Sequence, residues 1–432
     1  VDASSLQKFI IEVQRVTNQV IVNRVAGAGI TLLITLFSAG PAFTQNASPA
    51  STKTETTSAP IVADVYVQTQ AGVNVYSANS TGALAQVLGS PFADSGQMEG
   101  INSKYLLSVG TDDLHAYAIE ANGAVGGQVS QIDTQSYGGS QCGNTDAAGA
   151  ILDHSGQYFF VQLFGASYNG GENTTCAAWQ TYKVASNGSL TFLSDDLLDY
   201  STDSSAVDSS IPTISSADQF GFGSYGTEFA PEFAAFRRNG GGALEENTNF
   251  TAGSPTPDPS PSGDNNYFPT VMAADNAGHL AVVMIESFAT PYPGPPAQLA
   301  SFTIGSTGNL TTTNTYQNMP VLWGNPSETV ATPSVIASSP AGNLLAVGGT
   351  AGIQFFHFNG GAPLTTLSPR LLTNVNFSQF AWDKSNHLYA LSYGSNQLYV
   401  FNVTTTGYSQ VAGSPYTVGK AYGVQGLIVV SK

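Results

Sequence analysis

From Val62 to the end, the chain alternates short apolar runs with turns rich in Gly, Asn and Ser. The alternation is itself a repeat: an entering turn, an apolar run, a second run with period-two patterning, then a Gly-containing turn closed by a hydrophobic residue. The pattern recurs at intervals of roughly 35 to 60 residues. In the first copy Val65-Tyr66-Val67 and Val73-Asn74-Val75-Tyr76 lead through Asn79-Ser80-Thr81-Gly82-Ala83-Leu84 to Gly89-Ser90-Pro91-Phe92. The second copy runs through Tyr105, Leu114 and Asn122-Gly123, and the third from Leu152-Asp153-His154-Ser155-Gly156 to Asn187-Gly188. The fourth passes Phe220 and Asn239-Gly240, the fifth Asp275-Asn276-Ala277-Gly278-His279 and Gly308. The sixth holds Ser339-Pro340-Ala341-Gly342 and Gly360, and the seventh Asp383-Lys384-Ser385-Asn386-His387 and Gly413-Ser414-Pro415-Tyr416.

Period-two patterning turns one face of a small sheet toward the next unit, while Asn-Gly and Gly-Gly pairs supply the positive φ of tight hairpins. A lone four-stranded unit cannot bury both faces, so the stable arrangement is a ring. The expected fold is all-β: a seven-bladed β-propeller of four-stranded blades over residues 62–432. The closing residues, Tyr422 to Ser431, read as an inner strand without following partners, and the first copy lacks such a strand. The C-terminal strand is therefore expected to complete the first blade and lock the ring.

The region before the repeats has a different character. Residues 1–44 combine an amphipathic pattern (Leu6, Phe9, Ile10, Val13, Val16, Val20) with the apolar stretch Val25 to Phe37, preceded by Arg24. Ala42 and Thr44 stand like the small residues of a signal-peptidase site, so a secretory signal is expected, with a retained anchoring or packing helix as the alternative. Residues 45–61 have the Ser, Thr and Pro content of a linker.

Composition narrows the function classes. Charged residues make up 9% of the 432 positions, and Lys plus Arg total 12 against a net charge of −17. A nucleic-acid partner is excluded, because neutralising phosphates needs a clustered basic surface. A membrane enters only through residues 1–44, if they are retained. In an exported chain Cys142 and Cys176 are expected to pair as a disulfide. With no Cys/His cluster, no metal or other cofactor is expected.

The elements LDHSGQYFFV, SSPAGNLLAV and the pair GSPF and GSPY resemble those of the lactonase-like seven-bladed propellers, which include propeller-type 6-phosphogluconolactonases and exported proteins with YVTN-like repeats. The resemblance implies the fold over residues 62–432. An enzyme of that family would act on a phosphorylated sugar lactone, with basic groups and His or Glu at one mouth of the ring. Here the basic residues after residue 62 are Lys104, Lys183, Arg237, Arg238, Arg370, Lys384, Lys420 and Lys432. Arg237 and Arg238 precede a Gly turn, which places them on an outer hairpin, so a phosphate site is poorly supplied.

Glu99, Glu228, Glu286 and Glu328 lie near strand entries or exits and are the candidate acid-base residues of a channel mouth. His154, His279 and His387 recur at the turn entering a strand and are read as turn residues, and His115 and His357 as blade-face residues. Asp195, Asp196, Asp199, Asp203 and Asp208 lack the spacing of a calcium loop and read as a solvated acidic loop. The Pro-rich stretch Gly253 to Asn266 reads as an extended surface loop. Asn46, Asn79, Asn173, Asn187, Asn249, Asn309, Asn376 and Asn402 open Asn-x-Ser/Thr sequons and offer glycosylation sites.

The functional expectation is an exported, extracellular, non-enzymatic propeller. It would act as a binding or assembly module, such as a subunit of a surface filament, partnered by its own copies or by other cell-surface components. Its strand from Ile61 to Val67 would be free to pair with another sheet edge. The alternative is a lactonase or related hydrolase acting on an unphosphorylated substrate at the mouth of the channel.

Overall fold

A computed structural model describes residues 59–93, 96–134, 145–169, 172–201, 208–209, 213–226, 232–255, 267–286, 296–323, 333–392, 394–419 and 424–432. The expected signal, and the linker up to residue 58, lie outside them. The chain divides into two units, Val1–Thr56 and Thr57–Lys432, and the second holds the propeller.

Seven antiparallel sheets follow one another in sequence. Blade 1 is built from Ile61–Thr69, Gly72–Asn79, Leu84–Gln86 and the C-terminal strand Val424–Ser431. That last strand pairs along Ile61–Thr69, with Val65 opposite Val429 and Val67 opposite Leu427. The ring thus closes as expected from the sequence, and no covalent link is needed. Lys432 strengthens the seam, its Nζ lying 3.0 Å from Asp64 Oδ2. One expectation fails at the same place. Ile61–Thr69 is flanked by Gly72–Asn79 on one side and Val424–Ser431 on the other, so it offers no free edge to a second sheet.

The inner strands touch one another around the axis: Val424–Ser431 (blade 1), Gln97–Ile101 (blade 2), Thr145–Leu152 (blade 3), Tyr267–Ala274 (blade 5), Pro333–Ser338 (blade 6) and Phe377–Trp382 (blade 7). Blade 4 has two short pieces there, Asp208–Ser209 and Thr213–Ile214.

Because side chains alternate between the two faces of each sheet, the core is divided among the interfaces between blades. Val65, Val67, Tyr389 and Leu391 fill the interface of blades 1 and 7. Tyr66, Val75, Leu106 and Met98 fill that of blades 1 and 2. Leu107, Phe159, Val161 and Tyr182 fill that of blades 2 and 3. The remaining four interfaces have clusters of the same kind, for example Trp179 and Phe236 between blades 3 and 4. Full burial of one such side chain contributes about 1.5–3 kcal/mol.

The ring has two ends. At the turn end, the inner strands of blades 2, 3, 5, 6 and 7 and the short inner pieces of blade 4 turn into the second strand, while in blade 1 the chain's two strands meet there without a connection. At the entry end, inner strands begin and third strands start.

Candidate functional site

At the turn end one local device recurs in six blades. The residue that opens the turn accepts hydrogen bonds from the backbone N–H groups that close it. Asn102 Oδ1 receives Tyr105 N, Asp153 Oδ1 receives Tyr158 N, and Ser215 Oγ receives Phe220 N. Asp275 Oδ1 receives His279 N, Ser339 Oγ receives Leu344 N, and Asp383 Oδ1 receives His387 N. Such Asx and Ser/Thr turns satisfy backbone donors that the tight turn would strand.

The residue after each cap supports the outer hairpin of the next blade. The positive-φ glycines Gly188, Gly242, Gly308, Gly360 and Gly82 lie so close to Tyr105, Tyr158, Phe220, His279 and His387 respectively that an added Cβ would come within 3.0 Å of each ring. His279 and His387 therefore occupy a slot that other blades fill with Tyr, Phe or Leu. Their contacts resemble a catalytic pair, with His279 Nδ1 2.7 Å from Asp275 Oδ2 and His387 Nδ1 2.8 Å from Asp383 Oδ2. Asp383 also receives Tyr389 Oη at 2.9 Å, and burial together with this charge pushes that phenol far above its ordinary range. These are turn caps that happen to end on imidazoles. His154 sits one step earlier, inside its turn, where Nδ1 meets Asp218 Oδ1 of the next blade at 2.7 Å.

The entry end has a different recurring feature. In six blades the register between inner and second strand breaks and leaves extra inner-strand residues in a β-bulge, at a matching height in five of them and two residue pairs nearer the turn end in blade 2. The unpaired residues are Glu99, Ala148, Ser334, Ser378 and Gln425, and in blade 5 Thr270 and Val271 stand opposite Val283 alone. A bulge re-aims one side chain and is enriched beside functional sites. Two of these residues serve the fold: Ser378 Oγ donates to Leu391 O at 3.4 Å, and Thr270 Oγ1 to Val283 O at 3.1 Å. Each hydroxyl returns to a carbonyl of the second strand.

In the bulge of blade 2 the unpaired residue is Glu99. Its residue surface is half-buried. The carboxyl accepts hydrogen bonds from the Gln97 side chain and from the backbone N–H of Ala150, on the inner strand of blade 3. Gly100 makes the approach of the two strands possible, since a Cβ there would sit 2.9 Å from Leu152 Cβ. Oε1 is buried and has no hydrogen-bond partner. Burial pushes the carboxyl up to about 8, outweighing the two hydrogen bonds that pull it down.

The remaining candidates divide between described and undescribed residues. Glu228 and Glu328 lie outside the described residues, as do Asp203 and residues 256–266 of the Pro-rich stretch. Glu286 ends the second strand of blade 5, its backbone opposite Tyr267, and its side chain is outside the described set. His357 ends the third strand of blade 6. His115, on the third strand of blade 2, is buried with Nε2 3.0 Å from Asp113 Oδ1.

Arg238 confirms the hairpin position expected for it: Nη2 reaches Asp153 Oδ2 at 2.8 Å, and the guanidinium stacks 4.0 Å from the Tyr158 ring centre. The acidic residues Asp195, Asp196 and Asp199 form part of the outer strand Leu190–Ser201 rather than a loop, their backbones paired with Gln180, Trp179 and Ala177 of the third strand. With Glu245 and Glu246, Asp195 and Asp196 line a shallow cleft between blades 3 and 4.

Cys142 lies outside the described residues. Cys176 is placed on the third strand of blade 3, opposite Gly165 and Tyr200, and the expected disulfide is not found among the described residues. Asn79 and Asn187 prove to be turn residues whose Oδ1 atoms accept the N–H of Thr81 and Ser189, so those two sequons restate the hairpin motif. Among the described residues no cluster of three or more His, Cys, Asp or Glu could hold a metal ion, and no helix is long and apolar enough to cross a membrane.

No protein-family model and no curated protein matches the chain. Its fold does match solved structures. A periplasmic gluconolactonase of Pseudomonas aeruginosa aligns with a TM-score of 0.56 at 15% identity, covering 85% of this chain and 99% of that one. A candidate 6-phosphogluconolactonase of Bacteroides uniformis aligns with a TM-score of 0.54 at 12% identity, covering 85% and 99%. A protein of Lactobacillus plantarum aligns with a TM-score of 0.55 at 14% identity, covering 86% and 100%. The fold is that of the lactonase-like seven-bladed propellers.

This corrects the expectation of a non-enzymatic assembly module. Two of these three structures bear the names of lactonases, and the strand that was to join another sheet is already paired on both sides within blade 1.

Proposed function

We propose that the chain is a lactone hydrolase whose site lies at the entry end of the ring, beside the inner strand of blade 2. The observation that carries this reading is Glu99. A carboxyl occupies the bulge of blade 2, whereas the bulge residues Ser378 and Thr270 of blades 7 and 5 return a hydroxyl to the second strand, and the Glu99 Oε1 is buried without a partner. Hydrolysis of a lactone needs a group that can move a proton between water, the carbonyl and the ring oxygen. The similarity to a gluconolactonase and to a candidate 6-phosphogluconolactonase supports the same reaction class.

The substrate is an unphosphorylated lactone. Lys104, Lys183, Arg237, Arg238, Lys384 and Lys432 all belong to the turn end, on turns or strand ends opposite the site. Among the described residues the entry end has Arg370, whose guanidinium lies 5.6 Å from the Trp323 ring centre. A phosphate ester would need a denser cationic cradle. Work outside the cytoplasm fits this substrate choice, and both the signal-like N-terminal segment and the periplasmic gluconolactonase of similar fold support it.

The test is turnover of an unphosphorylated sugar lactone and of its 6-phosphate, each corrected for spontaneous hydrolysis. Catalysed opening of the first with little of the second is expected. Preference for the phosphorylated lactone would reject the substrate assignment, and no turnover of either would reject the enzyme.

A further inference from the structure

Resting on that reading, we infer that Glu99 works as a neutral carboxylic acid, donating its proton to the ring oxygen of the lactone as the acyl C–O bond breaks. Four observations lead there. First, the carboxyl is wedged between the inner strands of blades 2 and 3, where its fixed neighbours are both donors: the Ala150 N–H and the Gln97 amide. Those two contacts use acceptor capacity of the carboxyl and hold it in place between the strands. Second, Oε1 is buried and unpartnered, an arrangement that costs stability unless something outside the protein completes it.

Third, among the described residues of the strands packed against it no cation is at hand to hold the carboxylate form. The strands packed on Gln97–Ile101 are Tyr105–Val109, Thr145–Leu152 and Val424–Ser431. Their ionisable residues are Tyr105, at the turn end, and Asp146, whose side chain is outside the described set, and neither brings positive charge. Gln97 on the same strand is neutral. Fourth, the carboxyl is pushed up to about 8, so it is mostly protonated at neutral pH.

The step balances without a further reagent. Water adds to the lactone carbonyl carbon, the bond from that carbon to the ring oxygen breaks, and the ring oxygen takes the Glu99 proton to become the alcohol. The surplus proton of the attacking water returns to Glu99, giving a hydroxy acid and the starting enzyme. A base role would require the opposite resting state. A buried acid kept neutral for donation is a known solution wherever an apolar site surrounds a carboxyl.

The experiment is the pH dependence of kcat/KM for glucono-1,5-lactone between pH 5 and 9.5, for the wild-type protein and Glu99→Gln, with spontaneous hydrolysis subtracted at every pH. Gln keeps the size and the contacts but has no acidic proton to give. The expected result is a plateau at low pH, a tenfold fall per pH unit above about 8, and a loss of about 100-fold or more in Glu99→Gln on the plateau. A parallel titration of the Glu99 carboxyl carbon by NMR, assigned through its absence in Glu99→Gln, is expected to share the midpoint.

A rate that rises through pH 8, or a Glu99→Gln variant as fast as wild type, would overturn the donor role while leaving the lactone hydrolase intact. Absence of turnover in the wild type would remove both. A carboxyl that titrates near 4.5 would overturn the donor role whatever the rates.

Discussion

The two ends of this ring make opposite use of their polar side chains. At the turn end, His279 and His387 sit against aspartates at hydrogen-bond distance, the usual mark of acid-base machinery. Yet the same slot holds Tyr105, Tyr158, Phe220 and Leu344 in other blades, and in five blades the ring of that residue supports a glycine of the neighbouring hairpin. What the slot requires is a flat or bulky body on a capped turn. At the entry end, Glu99 has no showy partner. The bulge residues Ser378 and Thr270 donate to a backbone carbonyl, whereas the Glu99 carboxyl accepts from the Ala150 N–H and the Gln97 side chain and leaves Oε1 without a partner. In a repeat protein the other copies are the control: a residue that its siblings replace freely while keeping the same contacts belongs to the scaffold. One that breaks the shared contact at a cost is a candidate for function.

The largest effect should come from opening the ring. Deleting Val424 to Lys432 leaves Ile61–Thr69 with a bare edge and uncovers the apolar face closed by Leu427. Loss of cooperative unfolding, with aggregation seen by gel filtration, is expected. A fully folded truncated monomer would show that closure is not carried by this strand.

Next comes the stability cost of Glu99. Its folded-state pKa lies above the unfolded value near 4.5, so the penalty is absent below pH 4.5 and grows until about pH 8. Glu99→Gln should therefore be more stable than wild type by up to about 3 kcal/mol at neutral pH, the difference vanishing at pH 4. Urea unfolding at the two pH values checks this.

A smaller loss, about 2 kcal/mol, is expected for Gly242→Ala, whose new Cβ would fall 1.9 Å from the Tyr158 ring at a φ of 94°. The least effect belongs to His279→Tyr, which copies the residue of blades 2 and 3. Its stability should stay within about 1 kcal/mol of wild type by urea unfolding.

Most of the architecture was legible in the chain because the fold is a repeat. Positive-φ turns at Gly82, Gly123, Gly188 and Gly308 fall at the expected hairpins, and even ring closure could be read from an inner strand missing at one end and surplus at the other. His154, His279 and His387 fall at the turns to which the sequence assigned them, although His154 does not share the slot of His279 and His387.

The site was less visible. Glu99 stood among four glutamates chosen by position, and nothing in the local sequence reveals a bulge, since the break in register is a property of two strands paired. Among the bulge residues Glu99, Ser334, Ser378 and Gln425 only Glu99 is ionisable, a contrast that appears once the strands are paired. The assembly reading failed for a physical reason. Ile61–Thr69 reads both as an arm and as the strand that the C-terminal segment completes, and with Gly72–Asn79 on its other side the second role leaves no edge for the first.

The most direct test sets the two ends against each other: turnover of glucono-1,5-lactone at pH 6.5 by Glu99→Gln and by His279→Tyr. The account predicts at least about a 100-fold loss in the first and a rate within about twofold of wild type in the second. A His279→Tyr variant that is folded but inactive, beside an active Glu99→Gln, would place the chemistry at the turn end and contradict it.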